Sequence, residues 1–77
     1  MIEIVIDERD WQEKQERLRV IIEKMLDVGW EKFGTNGFIV LFKDTSLSEA
    51  RNELKKLNVN ELEPQEWKEN LYEEYLN

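Results

Sequence analysis

The chain has 77 residues, of which 40% are apolar and 10% aromatic, and it contains no cysteine and no histidine. This composition predicts one folded domain and excludes disulfides, zinc sites built from Cys or His, and most nucleophilic or general-base chemistry at neutral pH. The net charge of −7 includes no basic footprint, so we expect no direct binding to nucleic acid.

The sequence also argues against a membrane protein. No run of about 18 apolar residues occurs, and residues 1–10 lack the basic and apolar regions of a signal peptide. We therefore expect a cytoplasmic protein that makes no contact with a membrane.

The first element is a strand that leads into a helix. Ile2, Ile4 and Ile6 alternate with Glu3 and Val5, a period of two that, with β-branched residues, is typical of a strand. Asp7 is predicted to cap the following helix, and Ile6 and Trp11 occupy the two positions of a hydrophobic staple.

The first helix is predicted to run without interruption from this cap to Gly29, which can adopt a positive φ at little cost. Glu13 and Arg17 are four residues apart, and we expect them to form an ion pair. The residues that recur at helical spacing are Leu18, Ile21, Ile22, Met25 and Leu26.

Asn36-Gly37 lies between two apolar stretches, residues 30–35 and 38–43, and predicts a β-hairpin with a type I′ turn. In that register Thr35 faces Phe38 and Phe33 faces Val40. One sheet face then carries a phenylalanine-rich set, namely Phe33, Phe38, Val40 and Phe42. The opposite face carries Trp30, Ile39 and Leu41, with Lys32 and Lys43 beside them.

A strand that is apolar on both faces usually lies in a sheet covered on both sides. We expect the helices that contain Trp11 and Leu47 to cover the phenylalanine-rich face. Trp30, Ile39 and Leu41 then remain for the C-terminal helix, a second copy of the chain or another protein.

Ser46 and Glu49 match a capping box and predict a second helix, which Asn58 can end. Its apolar face consists of Leu47, Ala50, Leu54 and Leu57. Residues 59–62 are read either as a short fourth strand or as a loop.

The single domain is predicted to divide into an α+β core, residues 1–62, and an acidic amphipathic helix, residues 63–77, with Pro64 in its first turn. Residues 60–77 carry six acidic residues and one basic residue. The apolar side of this helix includes Trp67, Tyr72 and Tyr75, and the acidic side includes Glu66, Glu69 and Glu73.

The predicted element order is β-α-β-β-α-(β)-α. With the short strand, the fold class is α+β with a ferredoxin-like split βαβ and an added C-terminal helix. Without that strand, it is a three-stranded sheet with helices.

Carboxylates that bind Mg²⁺ are the remaining route to catalysis. Asp7 and Asp10 follow the first strand and Asp44 follows the third, so Asp7 and Asp44 share an edge if these strands run parallel. The stretch Ile4-Val5-Ile6-Asp7, and the predicted helix that runs into Gly29-Trp30, resemble the VapD-like and CRISPR-associated small endoribonucleases. This resemblance implies a ferredoxin-like fold and metal-dependent RNA cleavage with Asp7 at the site. Helix capping explains the same aspartates, and we predict no catalytic, cofactor-binding or metal-binding residue.

We therefore hypothesise a small protein-interaction module that acts as a regulator, inhibitor or accessory subunit. Its small size and lack of catalytic groups favour a viral or mobile-element origin. The predicted partner-binding residues are Trp30, Ile39, Leu41, Trp67, Tyr72, Tyr75, Glu66, Glu69 and Glu73. Because Trp and Tyr are enriched at binding hot spots, we expect a protein partner or a homodimer. We expect no cofactor. The alternatives are a mimic of nucleic acid that occupies a basic enzyme groove and the endoribonuclease.

Overall fold

The computed structural model describes residues 1–67, which form a four-stranded antiparallel sheet with two α-helices, an α+β arrangement. The strands are β1 (Ile2–Asp7), β2 (Glu31–Thr35), β3 (Phe38–Lys43) and β4 (Gln65–Glu66), and their order across the sheet is β2-β3-β1-β4. A 3₁₀ helix (Glu8–Lys14) and α1 (Gln15–Asp27) connect β1 to β2, and α2 (Leu47–Lys56) follows β3. Neither α-helix within residues 1–67 has the length and apolar character needed to cross a bilayer.

The cap that follows β1 is confirmed, but the uninterrupted first helix is wrong. The Asp7 carboxylate accepts a hydrogen bond from the backbone N–H of Arg9 at 3.0 Å. Residues 8–14 then wind as a 3₁₀ helix, and α-helical geometry begins only at Gln15. This stretch contains one apolar residue, Trp11, so no apolar stripe holds it in α-helical winding.

The predicted end of the first helix is confirmed at Gly29, which has a φ of +98°. The predicted Glu13–Arg17 pair does not hold Arg17. Its guanidinium instead binds Glu61 at 2.7 Å and 3.0 Å and donates to the carbonyl of Asn58. The distant carboxylate accepts two hydrogen bonds in a fork geometry, which stabilises more than a single contact along the helix.

The hairpin and its register are confirmed. Asn36 and Gly37 have φ values of +48° and +83°, as a type I′ turn requires. Thr35 pairs with Phe38, and Phe33 pairs with Val40.

The prediction of which sheet face the helices cover is wrong. The core joins the helices to the face that carries Ile2, Ile4, Ile6, Trp30 and Leu41. The three isoleucines of β1 lie on this face because Ile4 pairs with Leu41 and Ile6 with Ile39. Once β1 is inserted, this face gains three isoleucines whereas the other face gains Glu3 and Val5, and the helices bury the face with the isoleucines.

The second helix is confirmed. Ser46 caps it by accepting from the backbone N–H of Glu49 at 3.1 Å, and Asn58 follows its end with a φ of +60°. Ala50 and Leu54 are buried, and Leu47 and Leu57 pack against the core.

Of the two interpretations of residues 59–62, a short fourth strand or a loop, the loop is confirmed. Residues 59–62 form no strand, although Val59 and Leu62 are buried in the core. The fourth strand is formed by Gln65–Glu66, which pair with Glu3 and Ile2. A helix over 63–77 is therefore wrong at its start, and residues 68–77 of that prediction lie outside the described residues.

Candidate protein-binding groove

Three of the predicted partner-binding residues belong to the core. Trp30 is 2% exposed and Leu41 is fully buried, while Ile39 is partly buried and packs against the core. The Trp30 indole also donates a hydrogen bond to the Glu53 carboxylate of α2. A partner has no access to Trp30 or Leu41 without displacing a helix.

The opposite face of the sheet holds Trp67, whose ring centroid lies 5.8 Å from that of Phe42. Phe33 contacts Phe42 on the same face, with ring centroids 5.9 Å apart. Glu66 is exposed in β4. The other predicted partner-binding residues, Tyr72, Tyr75, Glu69 and Glu73, lie outside the described residues.

Glu3 is a residue whose importance the sequence does not reveal. It occupies a polar position in the alternation of β1, yet its side chain is fully buried. The amide of Gln65 donates to the Glu3 carboxyl oxygen at 3.0 Å, so this buried polar side chain helps to fix β4 against β1.

The carboxylates considered for a metal site are far apart in the sheet. Because β1 and β3 are antiparallel, Asp7 pairs with Phe38 at one end of the ladder, whereas Asp44 follows Lys43 at the other end. Asp7 and Asp44 would share an edge only if β1 and β3 ran parallel, and they do not. Within residues 1–67 no group of three or more Asp, Glu, His or Cys side chains is placed to hold a metal ion.

A concave, largely apolar surface lies along α1 and reaches the edge strand β2. This groove, called here the α1 groove, has a volume of about 500 Å³. Its apolar residues are Trp11, Leu18, Ile22 and Leu26, and its polar residues are Glu8, Gln15, Arg19, Glu23 and Lys32. Its size falls within the range of about 300–1,000 Å³ that is typical of ligand pockets.

The α1 groove exists because α1 carries more apolar residues than the sheet can cover. Leu18, Ile21 and Met25 form the row that is buried against the core. Ile22 and Leu26 form a second row at the margin of the core, in which Ile22 is partly buried against the core and Leu26 is exposed. Leu26 is 41% exposed, and among residues 1–67 only Met1 is a more exposed large apolar residue.

Four charged side chains line the groove, two acidic and two basic, and two of them form an ion pair with each other. Arg19 binds Glu16 and also Glu23, the latter at 2.7 Å, so its charge is neutralised along the helix. The Lys14 ammonium lies 5.7 Å from the centre of the Trp11 ring and shields one side of the indole. The charged residues that line the groove therefore sum to zero formal charge.

The strand beside the groove is at the edge of the sheet. Within residues 1–67, β2 pairs only with β3, so its other side has no neighbouring strand. Thr35 and Phe38 flank a two-residue turn and exchange backbone hydrogen bonds, so alternate residues of β2 point their backbone groups away from β3. Those residues are Lys32 and Gly34.

The sequence contains one signal for this site. The apolar residues of α1 span an arc wider than one stripe, which indicates a surplus beyond the core-facing row. The position of β2 at the sheet edge, however, depends on β1 pairing with β3. A long-range pairing of this kind leaves no local pattern in the sequence.

Comparison of the chain with protein-family models, with curated proteins and with solved structures found no match.

Proposed function

We propose that this chain is a small protein-interaction module that binds a protein partner in the α1 groove. The observation that carries the proposal is the exposed side chain of Leu26, which lines the same groove as the partly buried Ile22 and the buried Trp11 and Leu18. Burying a leucine side chain contributes about 1.5–3 kcal/mol, so the exposed part of Leu26 represents unused binding energy. A regulator, inhibitor or accessory subunit acts through such a surface without any catalytic group.

Mimicry of nucleic acid receives less support from the described residues. Such a mimic must display unneutralised carboxylates across one surface. Among the described residues, five arginine or lysine side chains instead form ion pairs with carboxylates, namely Arg9–Asp7, Arg17–Glu61, Arg19 with Glu16 and Glu23, Lys43–Glu53 and Arg51–Glu63. Binding through apolar contact therefore fits the surface better than binding through charge.

We also propose that the sheet and its two helices form a ferredoxin-like split βαβ. The element order β-α-β-β-α-β and the sheet order β2-β3-β1-β4 support this assignment. Folds of this kind host many unrelated functions, so the proposed function depends on the groove rather than on the fold.

Affinity capture from host cells with three forms of the full chain tests the binding proposal. Leu26→Glu places a charge in the groove, and Asn52→Glu adds the same charge at an exposed position of α2. The expected result is a protein that the wild type and Asn52→Glu both retain and that Leu26→Glu loses. The purified partner should then shift the NMR signals of α1.

Two results contradict the proposal. One is a partner that Leu26→Glu retains in full and whose NMR footprint lies elsewhere on the chain. The other comes from sedimentation at micromolar concentration, if the wild type has a mass near twice 9.4 kDa and Leu26→Glu has the mass of one chain. The groove would then bind a second copy of the chain and not another protein.

A further inference from the structure

We infer that the partner binds as an extended segment, which adds a fifth strand to the edge of β2 and places alternate side chains in the α1 groove. This inference rests on the proposed function and specifies its mode. The structural basis is the side-by-side placement of a strand edge without a neighbour and an apolar groove, both within residues 1–67.

The edge of β2 supplies the hydrogen bonds. Lys32 and Gly34 each direct a backbone N–H and a C=O away from β3, which gives two donors and two acceptors in a row. An antiparallel or parallel strand lies about 4.8 Å away and satisfies these groups without any movement of the sheet. Lys32 and the short length of β2 discourage indiscriminate pairing, so side-chain contacts are needed to select a partner.

The α1 groove supplies the selection. Lys32 pairs with Leu41, so its side chain lies on the helix-covered face of the sheet and forms one wall of the groove. In an added strand every second side chain points to that same face. Those side chains enter the space between Lys32 and the row of Ile22 and Leu26. The expected segment therefore has apolar residues at every second position.

The intervening positions are also constrained. They lie on the face that carries Glu31, which is exposed and belongs to β2. Opposite charges in cross-strand pairs stabilise a sheet, so a basic residue is favoured there. The chemical class of the partner is thus an extended segment that alternates apolar and basic or neutral polar residues.

A helix lying in the groove is the competing mode, and it predicts a different sequence pattern. A helical ligand places apolar residues at i, i+3, i+4 and i+7 and makes no use of the backbone of β2. The two modes can therefore be separated by the pattern of the ligand and by its dependence on the N–H of Lys32.

The test begins with a library of random 12-residue peptides displayed on phage and selected on the immobilised full chain. The expected motif has apolar residues two positions apart. A synthetic peptide with this motif is then titrated into three variants. Lys32→Pro removes the outward N–H but breaks no bond to β3, and proline is tolerated at such edge positions. Lys32→Gln removes the charge and keeps the N–H, and Leu26→Glu blocks the groove.

We expect Lys32→Pro to weaken peptide binding at least about tenfold, the factor for roughly one lost hydrogen bond in a desolvated site. Lys32→Gln should change it less than about threefold, and Leu26→Glu should abolish it. A second measurement does not depend on the folding of Lys32→Pro. Methylation of the peptide nitrogens that face β2 should abolish binding to the wild type, while methylation of the alternate nitrogens should not.

The added strand is overturned if the selected motif is helical, or if neither Lys32→Pro nor backbone methylation weakens peptide binding. If Leu26→Glu still abolishes binding in that case, the proposed function stands. Binding that Leu26→Glu leaves intact overturns both.

Discussion

At the scale of single residues, backbone conformation sets the shape of the hairpin. Asn36 and Gly37 both have positive φ, and their turn fixes the pairing of every residue from Glu31 to Phe42. A one-residue slip in this register would move the side chains of each strand to the opposite face. The turn therefore determines which residues reach the core.

Gly37→Val is expected to destabilise the protein by at least about 1–2 kcal/mol, because an L side chain resists positive φ and a β-branched one resists it most. No atom lies within 4 Å of an added Cβ, so the cost comes from the backbone and not from a clash. Urea denaturation measures the change. Gly34→Val is the control, since Gly34 lies in β2 without positive φ. An equal loss in both variants would contradict the role of the turn.

At the scale of elements, a few long side chains tie the helices to the rest of the fold. Arg17 of α1 binds Glu61, and Lys24 donates to the carbonyl of Leu57 at 3.1 Å. The Lys43 ammonium of β3 donates to the Glu53 carboxylate of α2 and to the carbonyl of Val28. The first two contacts tie α1 to the segment that follows α2, and the Lys43 contacts tie α2 and the end of α1 to the sheet.

The Arg17–Glu61 contact predicts a defined pH dependence. Hydrogen bonds from the Arg17 guanidinium lower the pKa of Glu61 from 4.5 to about 2. Because the folded-state pKa is depressed, this contribution is fully present above about pH 5 and is lost as the pH falls from 4.5 towards 2. Solvent screening reduces its size, since both side chains are partly exposed.

The measurement is the free energy of unfolding from pH 2 to pH 7 for the wild type and for Glu61→Gln. The wild type should be the more stable at pH 7, and the difference should shrink below pH 4.5. Glu63→Gln serves as the control, because the Glu63 side chain is 84% exposed and its nearest guanidinium nitrogen is 3.8 Å away. A difference for Glu61→Gln that stays constant across this range would show that the ion pair does not form in solution.

At the scale of the whole molecule, the described residues form two layers, with the helices on one side of the sheet. A chain of this length has a stability of roughly 4–12 kcal/mol, at about 0.05–0.15 kcal/mol per residue. A core joins Ile2, Ile4, Ile6, Trp30 and Leu41 to both helices, so a single cavity in this core removes a large share of the total.

Leu41→Ala is expected to cost about 2–5 kcal/mol, because Leu41 is fully buried between the sheet and the helices. Leu26→Ala should change stability by less than about 0.5 kcal/mol, since Leu26 is 41% exposed in the groove. Thermal and urea unfolding report both values. If Leu41→Ala were as harmless as Leu26→Ala, the helices would have to cover the other face of the sheet.

Local signals in the sequence were enough to predict most of the elements. The alternation of β1, the caps at Asp7 and Ser46 and the turn at Asn36-Gly37 each involve residues a few positions apart. Their geometry depends on backbone preferences and nearby hydrogen bonds, which the sequence displays directly. The same is true of the surplus apolar residues on α1, although their use as a groove was not predicted.

Tertiary structure decided the features that depend on distant parts of the chain. The helices cover the face of Trp30 and Leu41 because β1 inserts beside β3 and adds three isoleucines to that face. Arg17 binds Glu61 and not Glu13, and β4 forms at Gln65–Glu66, because these residues meet only after the sheet has assembled. The groove beside β2 also depends on distant residues, because pairing between β1 and β3 leaves β2 at the edge of the sheet. Contacts between distant residues depend on the free energy of the whole packed arrangement, and no short window of sequence contains that quantity.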